Sequence, residues 1–163
     1  VLSFTADEVW QHLPAGSVDV SGVHLSEFPA PEEDREDEKL ARKWERVQAV
    51  RSEVTKRLEE ARRQKLVGHS LDAHVDLYLS PPGYRLLDGL GEELSGVFIV
   101  SSASLHHYEE KGGDAWESEE LPGLAVAVGK AAGEKCERCW IYSENVRGNA
   151  EHPTICNKCV ANL

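Results

Sequence analysis

Two Cys-x-x-Cys pairs, Cys136/Cys139 and Cys156/Cys159, constrain this chain more than any other feature. Two intervening residues let a tight turn aim both sulfurs of a pair at one ion. A second such pair, sixteen residues further on, completes a tetrahedron. All four cysteines fall in the last 28 residues, whereas a disulfide framework would distribute its bridges over the whole fold. The pattern therefore predicts one structural Zn²⁺ held by Cys136, Cys139, Cys156 and Cys159 as thiolates, in a ribbon whose spacer forms a hairpin. Two disulfides, four idle thiols, or His152 replacing one ligand are the competing readings. Lys135, Arg138 and Lys158 stand close enough in sequence to offset thiolate charge. Trp140, directly after Cys139, either packs against a neighbouring domain or offers a stacking face to a nucleic-acid base, with Arg138 as a phosphate or base-edge partner.

Upstream of the cysteines the hydrophobic period changes twice. Residues 1–13 read as a short helix, with Thr5 as N-cap, Glu8 completing a capping box, Phe4 stapled onto Val9, and Pro14 as a stop. Residues 14–31 read as loop. A long helix is expected from about Glu36 to Leu66, because Leu40, Trp44, Val47, Val54, Leu58 and Ala61 recur on one helical face; Gly68 is its expected stop. Leu71, Ala73, Val75, Leu77 and Leu79 then alternate with polar residues as a half-buried strand. Ser80-Pro81 opens a helix carrying Leu86, Leu87, Leu90 and Leu94. Short strands are expected at Val97–Val100 and Leu124–Val128, with a hairpin or irregular strand in the polar stretch between. The fold class is α+β: a helical part (1–66), a small mixed domain (67–132) and a zinc ribbon (133–163).

A net charge of −11 argues against indiscriminate nucleic-acid binding, but the charge is segregated. Residues 41–66 carry nine of the eighteen Lys and Arg against four Glu, so Arg51, Arg62, Arg63 and Lys65 are candidate phosphate contacts. A solvated helix face is the bland alternative. No apolar run reaches the length of a membrane span, and no signal peptide is expected. The opening on Val1-Leu2-Ser3-Phe4 and the lack of Met read as a piece of a longer protein.

The string Gly133-Glu134-Lys135-Cys136-Glu137-Arg138-Cys139-Trp140, followed by His152-Pro153-Thr154-Ile155-Cys156-Asn157-Lys158-Cys159, resembles the C-terminal zinc module of bacterial-type isoleucyl-tRNA synthetases. Leu2 to Trp10 is similar to that family's anticodon-binding helical domain. Arg51 to Arg62, continuing through Gly68 to Ala73, is similar to its connecting helix and following strand, and Val97 to Ser101 to its next strand. One departure is Asn157-Lys158, where the family often has Gly-Arg; the charge is kept and a bidentate donor lost. The family is a class I ligase that activates isoleucine with ATP, transfers it to tRNA and hydrolyses mischarged valine. No HIGH-like or KMSKS-like signature is present, and His69-Ser70 and His106-His107 read as isolated polar pairs, so no catalytic residue is expected here. The resemblance implies recognition of the anticodon side of tRNA(Ile), upstream catalytic and editing domains as partners, a monomer and a cytoplasmic location. A zinc ribbon that docks a protein, suggested by net acidity with Trp10 and Trp44, and a DNA-glycosylase-type finger are the alternatives.

Overall fold

The computed structural model describes residues 2–14, 16–17 and 21–163, which form two compact units, one ending at Asp37 and one spanning Glu38–Leu163.

The first unit holds helix α1 (Ser3–Gln11) and two short 3-10 turns, at Val23–Leu25 and Glu33–Arg35. The helix starts three residues earlier than the capping pattern suggests. Leu2 occupies the N-cap without a side-chain bond, and Thr5 lies inside the helix, so the Thr5–Glu8 box does not form. The hydrophobic staple is absent as well, since Phe4 and Val9 are 92% and 58% exposed. A local capping signal decides a helix start only when packing fixes the residues around it, and α1 has no buried residue. His24 Nε2 lies 3.2 Å from the Ser3 carbonyl and ties the loop back to the helix.

In the second unit, helix α2 (Glu38–Arg63) presents Val47, Val50, Val54, Leu58 and Ala61 as a buried stripe. The stripe shares one core with strand β1 (Ala73–Leu79), where Ala73, Val75, Leu77 and Leu79 are buried at every second position. The core therefore runs across residues 66 and 67, where a boundary was expected, and compactness divides the chain at Asp37–Glu38 instead. Helix α2 ends in a Schellman turn: Leu66 N–H donates to the Ala61 carbonyl and Lys65 N–H to that of Arg62, both at 3.0 Å. The left-handed residue of this turn is Lys65 (φ 59°), so the stop comes before Gly68.

Ser80 is the N-cap of helix α3 (Pro81–Asp88), with Pro81 in its first turn, although no Ser80 side-chain cap forms. The run Val97–Val100 is not a strand. Helix α4 covers Leu94–Phe98, Ile99 turns left-handed (φ 57°), and strand β2 begins only at Ser102 and ends at His107. Leu94 and Phe98, four apart, are both buried in the same core, a helical spacing that a four-residue apolar run does not reveal by itself. Strands β3 (Trp116–Glu117) and β4 (Leu124–Lys130) complete a sheet of order β2-β1-β4-β3. Strands β1 and β2 are parallel, with His74 opposite Ser102, while β1–β4 and β4–β3 are antiparallel.

Beyond β4, strands β5 (Glu134–Lys135) and β6 (Tyr142–Ser143) form a two-stranded hairpin, and Asn157–Val160 forms the last helix, α5. Ser101 joins this module to the sheet: its Oγ donates to the Leu71 carbonyl and accepts from Tyr142 N–H at 2.7 Å. Among the described residues, no helix is long and apolar enough to cross a membrane.

Candidate metal centre

The hairpin predicted for the sixteen-residue spacer lies elsewhere: β5 and β6 flank the first cysteine pair, whose turn closes between them. Cys136 N–H donates to the Ile141 carbonyl (2.8 Å) and Trp140 N–H to that of Cys136 (2.9 Å), which folds the knuckle around the sulfurs. Gly133 opens the hairpin at φ 86°, and a Cβ there would overlap the backbone of Ser143 and Glu144. Only glycine serves at that position.

The second pair is held by α5. Cys156 is its N-cap, and Cys159 N–H donates to the Cys156 carbonyl at 2.9 Å. Two contacts lock the halves together. Glu137 N–H donates to the Thr154 carbonyl (3.1 Å), and Cys156 N–H points at the Cys136 sulfur (3.3 Å). Beyond β6 the spacer is irregular, pinned by Val146 under the sulfurs, by an Arg147–Glu134 ion pair (2.9 Å), and by Asn149 Oδ1 accepting from Glu151 and His152 N–H. His152 is exposed, and the only metal-capable cluster among the described residues is the four cysteines.

All four sulfurs lie within 4.8 Å of one another, with Cys136–Cys159 at 3.8 Å and Cys139–Cys156 at 3.7 Å. A disulfide needs about 2.0 Å. A zinc–sulfur bond of about 2.3 Å gives a tetrahedral edge of about 3.8 Å, so the donor set fits the ion. Burial raises the Cys136 thiol, but backbone N–H groups of Cys139, Cys156 and Arg138 outweigh it and draw the thiol down to about 6. Cys139 is pushed up to about 12, chiefly by burial and further by its three sulfur neighbours, and Cys159 is also raised, again chiefly by burial. Thiols alone thus cannot all ionise here; a divalent cation supplies the charge that lets four thiolates coexist.

The other candidate residues differ in what holds them. Trp140 is 59% exposed, outside the buried clusters, with Lys135 Nζ 5.5 Å from its ring centroid. It does not pack into the α+β core, and its backbone is left-handed (φ 68°), which costs a non-glycine residue roughly 1 kcal/mol. Arg138 Nη1 donates to the carbonyls of Cys159 (3.1 Å) and Asn162 (3.2 Å), so part of its guanidinium caps the end of α5. On α2, Arg51 Nε donates to the Val97 carbonyl (2.9 Å), Arg62 pairs with Glu59 (2.9 Å) and Arg63 with Glu60 (3.7 Å). Lys65 is exposed and makes no ion pair among the described residues. The histidine pairs are not all isolated. His106 Nε2 and His74 Nε2 lie 2.7 and 3.1 Å from Asp76 Oδ1, and His74 Nδ1 lies 2.7 Å from Ser102 Oγ, a cross-strand network on the outer sheet face.

Residues 133–162 match the family described as a zinc finger found in FPG and IleRS. Over its length the chain is also similar to proteins named isoleucine–tRNA ligase. It is 50% identical to that of Geobacter sulfurreducens over 161 residues, which is 99% of this chain and 17% of that protein. The corresponding figures are 47% over 167 residues for Nitratidesulfovibrio vulgaris (100% and 18%) and 48% over 162 residues for Desulfitobacterium hafniense (99% and 17%). The chain thus spans less than a fifth of the length of these relatives. A zinc-finger match that covers all four clustered cysteines, inside a chain aligned from end to end with such ligases, assigns one structural zinc to the cluster and places the chain in the isoleucine–tRNA ligase family, as a segment of it.

Proposed function

We propose that this chain is the tRNA-binding portion of an isoleucine–tRNA ligase and recognises the anticodon side of tRNA(Ile). In this reading the division is by role rather than by compactness: residues 1–66 end the anticodon-binding helical part, with α2 sharing its core with the sheet, 67–132 form a junction and 133–163 the zinc module. The whole enzyme, a cytoplasmic monomer, attaches isoleucine to tRNA using ATP in domains outside this chain. The observation that carries the reading is Trp140: a large aromatic, more than half exposed, held on the zinc knuckle in a backbone conformation that glycine would adopt at lower cost. Strain at an exposed aromatic supports a ligand-facing role, and stacking on an unpaired base suits it because every base has a π face. Zinc takes no part in chemistry; four thiolates leave no open coordination position, and the ion fixes the knuckle that carries the indole. Of the basic candidates, Lys65 makes no ion pair among the described residues, and Arg138 keeps donors beyond the engaged Nη1. Arg51, tied only through Nε, likewise keeps its terminal nitrogens, while Arg62 and Arg63 share theirs with Glu59 and Glu60.

The test is Trp140→Ala in the whole ligase. Binding of tRNA(Ile) should weaken by about 1–3 kcal/mol, the usual worth of base–aromatic stacking. Isoleucine-dependent ATP–pyrophosphate exchange and zinc content should not change. Unchanged tRNA affinity refutes the reading.

A further inference from the structure

Where the end of α2, the end of β4 and the hairpin strand β6 converge, a pocket of about 280 Å³ is lined by Lys65, Gly68, Asp72, Lys130 and Tyr142, among others. Both lysines are exposed, and neither joins an ion pair among the described residues, whereas the arginines of α2 discussed above are all engaged. Asp72 is the one carboxylate in the lining, and its Oδ2 already accepts from Gly68 N–H (3.2 Å) and His69 N–H (2.8 Å). The lining therefore carries two unpaired cations against one carboxylate that backbone donors occupy.

Lys65 holds the left-handed position of the Schellman turn, where glycine is the residue of least cost. A cation near a helix C-terminus is favourable to the macrodipole, by about 0.3–1 kcal/mol. That gain is matched by the roughly 1 kcal/mol that a side chain costs in this conformation. Helix stability thus gives no net reason for lysine over glycine here. Tyr142 places the pocket next to the knuckle, two residues along the chain from Trp140.

We infer that this pocket is a phosphate seat for the RNA backbone, with Lys65 and Lys130 as its cations, beside the base that Trp140 stacks on. The inference rests on the tRNA-binding reading and adds a second element to the same surface, one that reads charge rather than a base. A lysine pair takes the phosphodiester as point charges, so its contribution is salt-dependent and independent of sequence.

The experiment compares the whole ligase with its Lys65→Gly, Lys130→Gln and Lys130→Arg variants, with Trp140→Ala alongside. Affinity for tRNA(Ile) is measured across a salt series at constant pH, with thermal stability and ATP–pyrophosphate exchange as controls. Lys65→Gly and Lys130→Gln should each weaken binding at low salt by about fivefold. Each should also reduce the slope of log affinity against log salt by about 0.7–0.9, the value of one phosphate contact. Lys65→Gly should leave thermal stability equal or higher, and Lys130→Arg should retain the slope. Unchanged slopes with a weakened Trp140→Ala would overturn the phosphate seat and leave the tRNA reading standing. Unchanged binding in all variants would overturn both. A Lys130→Arg variant as weak as Lys130→Gln, or a parallel loss of pyrophosphate exchange, would show that packing rather than charge was disturbed and would overturn the inference. If inorganic phosphate at constant ionic strength protected the lysines from acylation while tRNA did not, the pocket would hold free phosphate and the RNA assignment would fall.

Discussion

Among the described residues Glu53 is the charged residue buried most deeply, 1% exposed on the face of α2 that meets the β3–β4 loop, and its replacement should be costly. Its Oε2 accepts from Ser118 Oγ at 2.5 Å, its Oε1 from Lys56 Nζ at 2.7 Å, and Ser118 Oγ in turn accepts from Leu121 N–H at 3.0 Å. Lys56 is half exposed, so its ion pair is screened and contributes little to a mutational difference. The loss in Glu53→Ala then comes from two sources. A hydrogen bond to a charged acceptor contributes about 1.5–3 kcal/mol. The one buried methylene removed, Cγ, contributes about 0.8 kcal/mol. Together they predict a loss of about 3 kcal/mol, or roughly 10 °C in Tm for a unit of this size. Glu53→Gln keeps the stem and a neutral acceptor and should lose about 1 kcal/mol. Burial by itself would raise the Glu53 carboxyl, but the bonds from Lys56 and Ser118 and the charge of Lys56 hold it below the ordinary glutamate range. A depressed folded-state value stabilises above the unfolded pKa and is lost as pH falls through the folded one. The Glu53 contribution should therefore be complete above about pH 5 and fade below about pH 4.3. Thermal and urea melts of the wild type and both variants from pH 7 to 3 measure this. A Glu53→Ala shift under 2 °C, or an acid-induced loss in Glu53→Gln identical to that of the wild type, would refute the reasoning.

Cys136→Ser should abolish stoichiometric zinc and unfold residues from about 134 onward, because the sulfurs and little else make up that module's interior; backbone NMR or limited proteolysis should show the sheet intact. Gly133→Ala should destabilise the same module by about 2 kcal/mol or more, read as a weaker zinc affinity in competition with a chelator, since its conformation and the adjoining backbone admit no side chain.

The parts of the fold with a long, consistent period were legible in the sequence. Helix α2 and strand β1 each repeat their apolar positions four or five times, enough to fix both type and facing. The metal cluster was legible for a different reason: thiol spacing restricts geometry regardless of the surrounding fold. The stretch from Leu94 to Val100 was not, because four apolar residues satisfy a buried strand and a helix turn equally, and only the shared burial of Leu94 and Phe98, four residues apart, decides. Capping at Thr5 failed because no tertiary packing enforces it. The partners of Arg62 and Arg63 stand three residues earlier on the same helix and could have been read as neighbours. Arg51's partner, the Val97 carbonyl, lies 46 residues away and could not. Nor could the His74–Asp76–His106 network, which depends on a parallel register with a strand that carries no alternating signal.

The module around Cys136, Val146, Cys156 and Cys159 uses ligand sulfurs where other domains use hydrocarbon, and this ties its integrity to a solution variable rather than to its sequence. Stability gained from a bound ion follows RT ln(1 + [L]/Kd), so each tenfold fall in free zinc takes about 1.4 kcal/mol from the tip of the chain. The sheet and α2 core draw on no such reservoir. Depleting zinc therefore melts the chain from the Trp140 end first, while residues 38–130 keep their shape, and the knuckle becomes a gauge of metal supply mounted on a scaffold that does not respond to it.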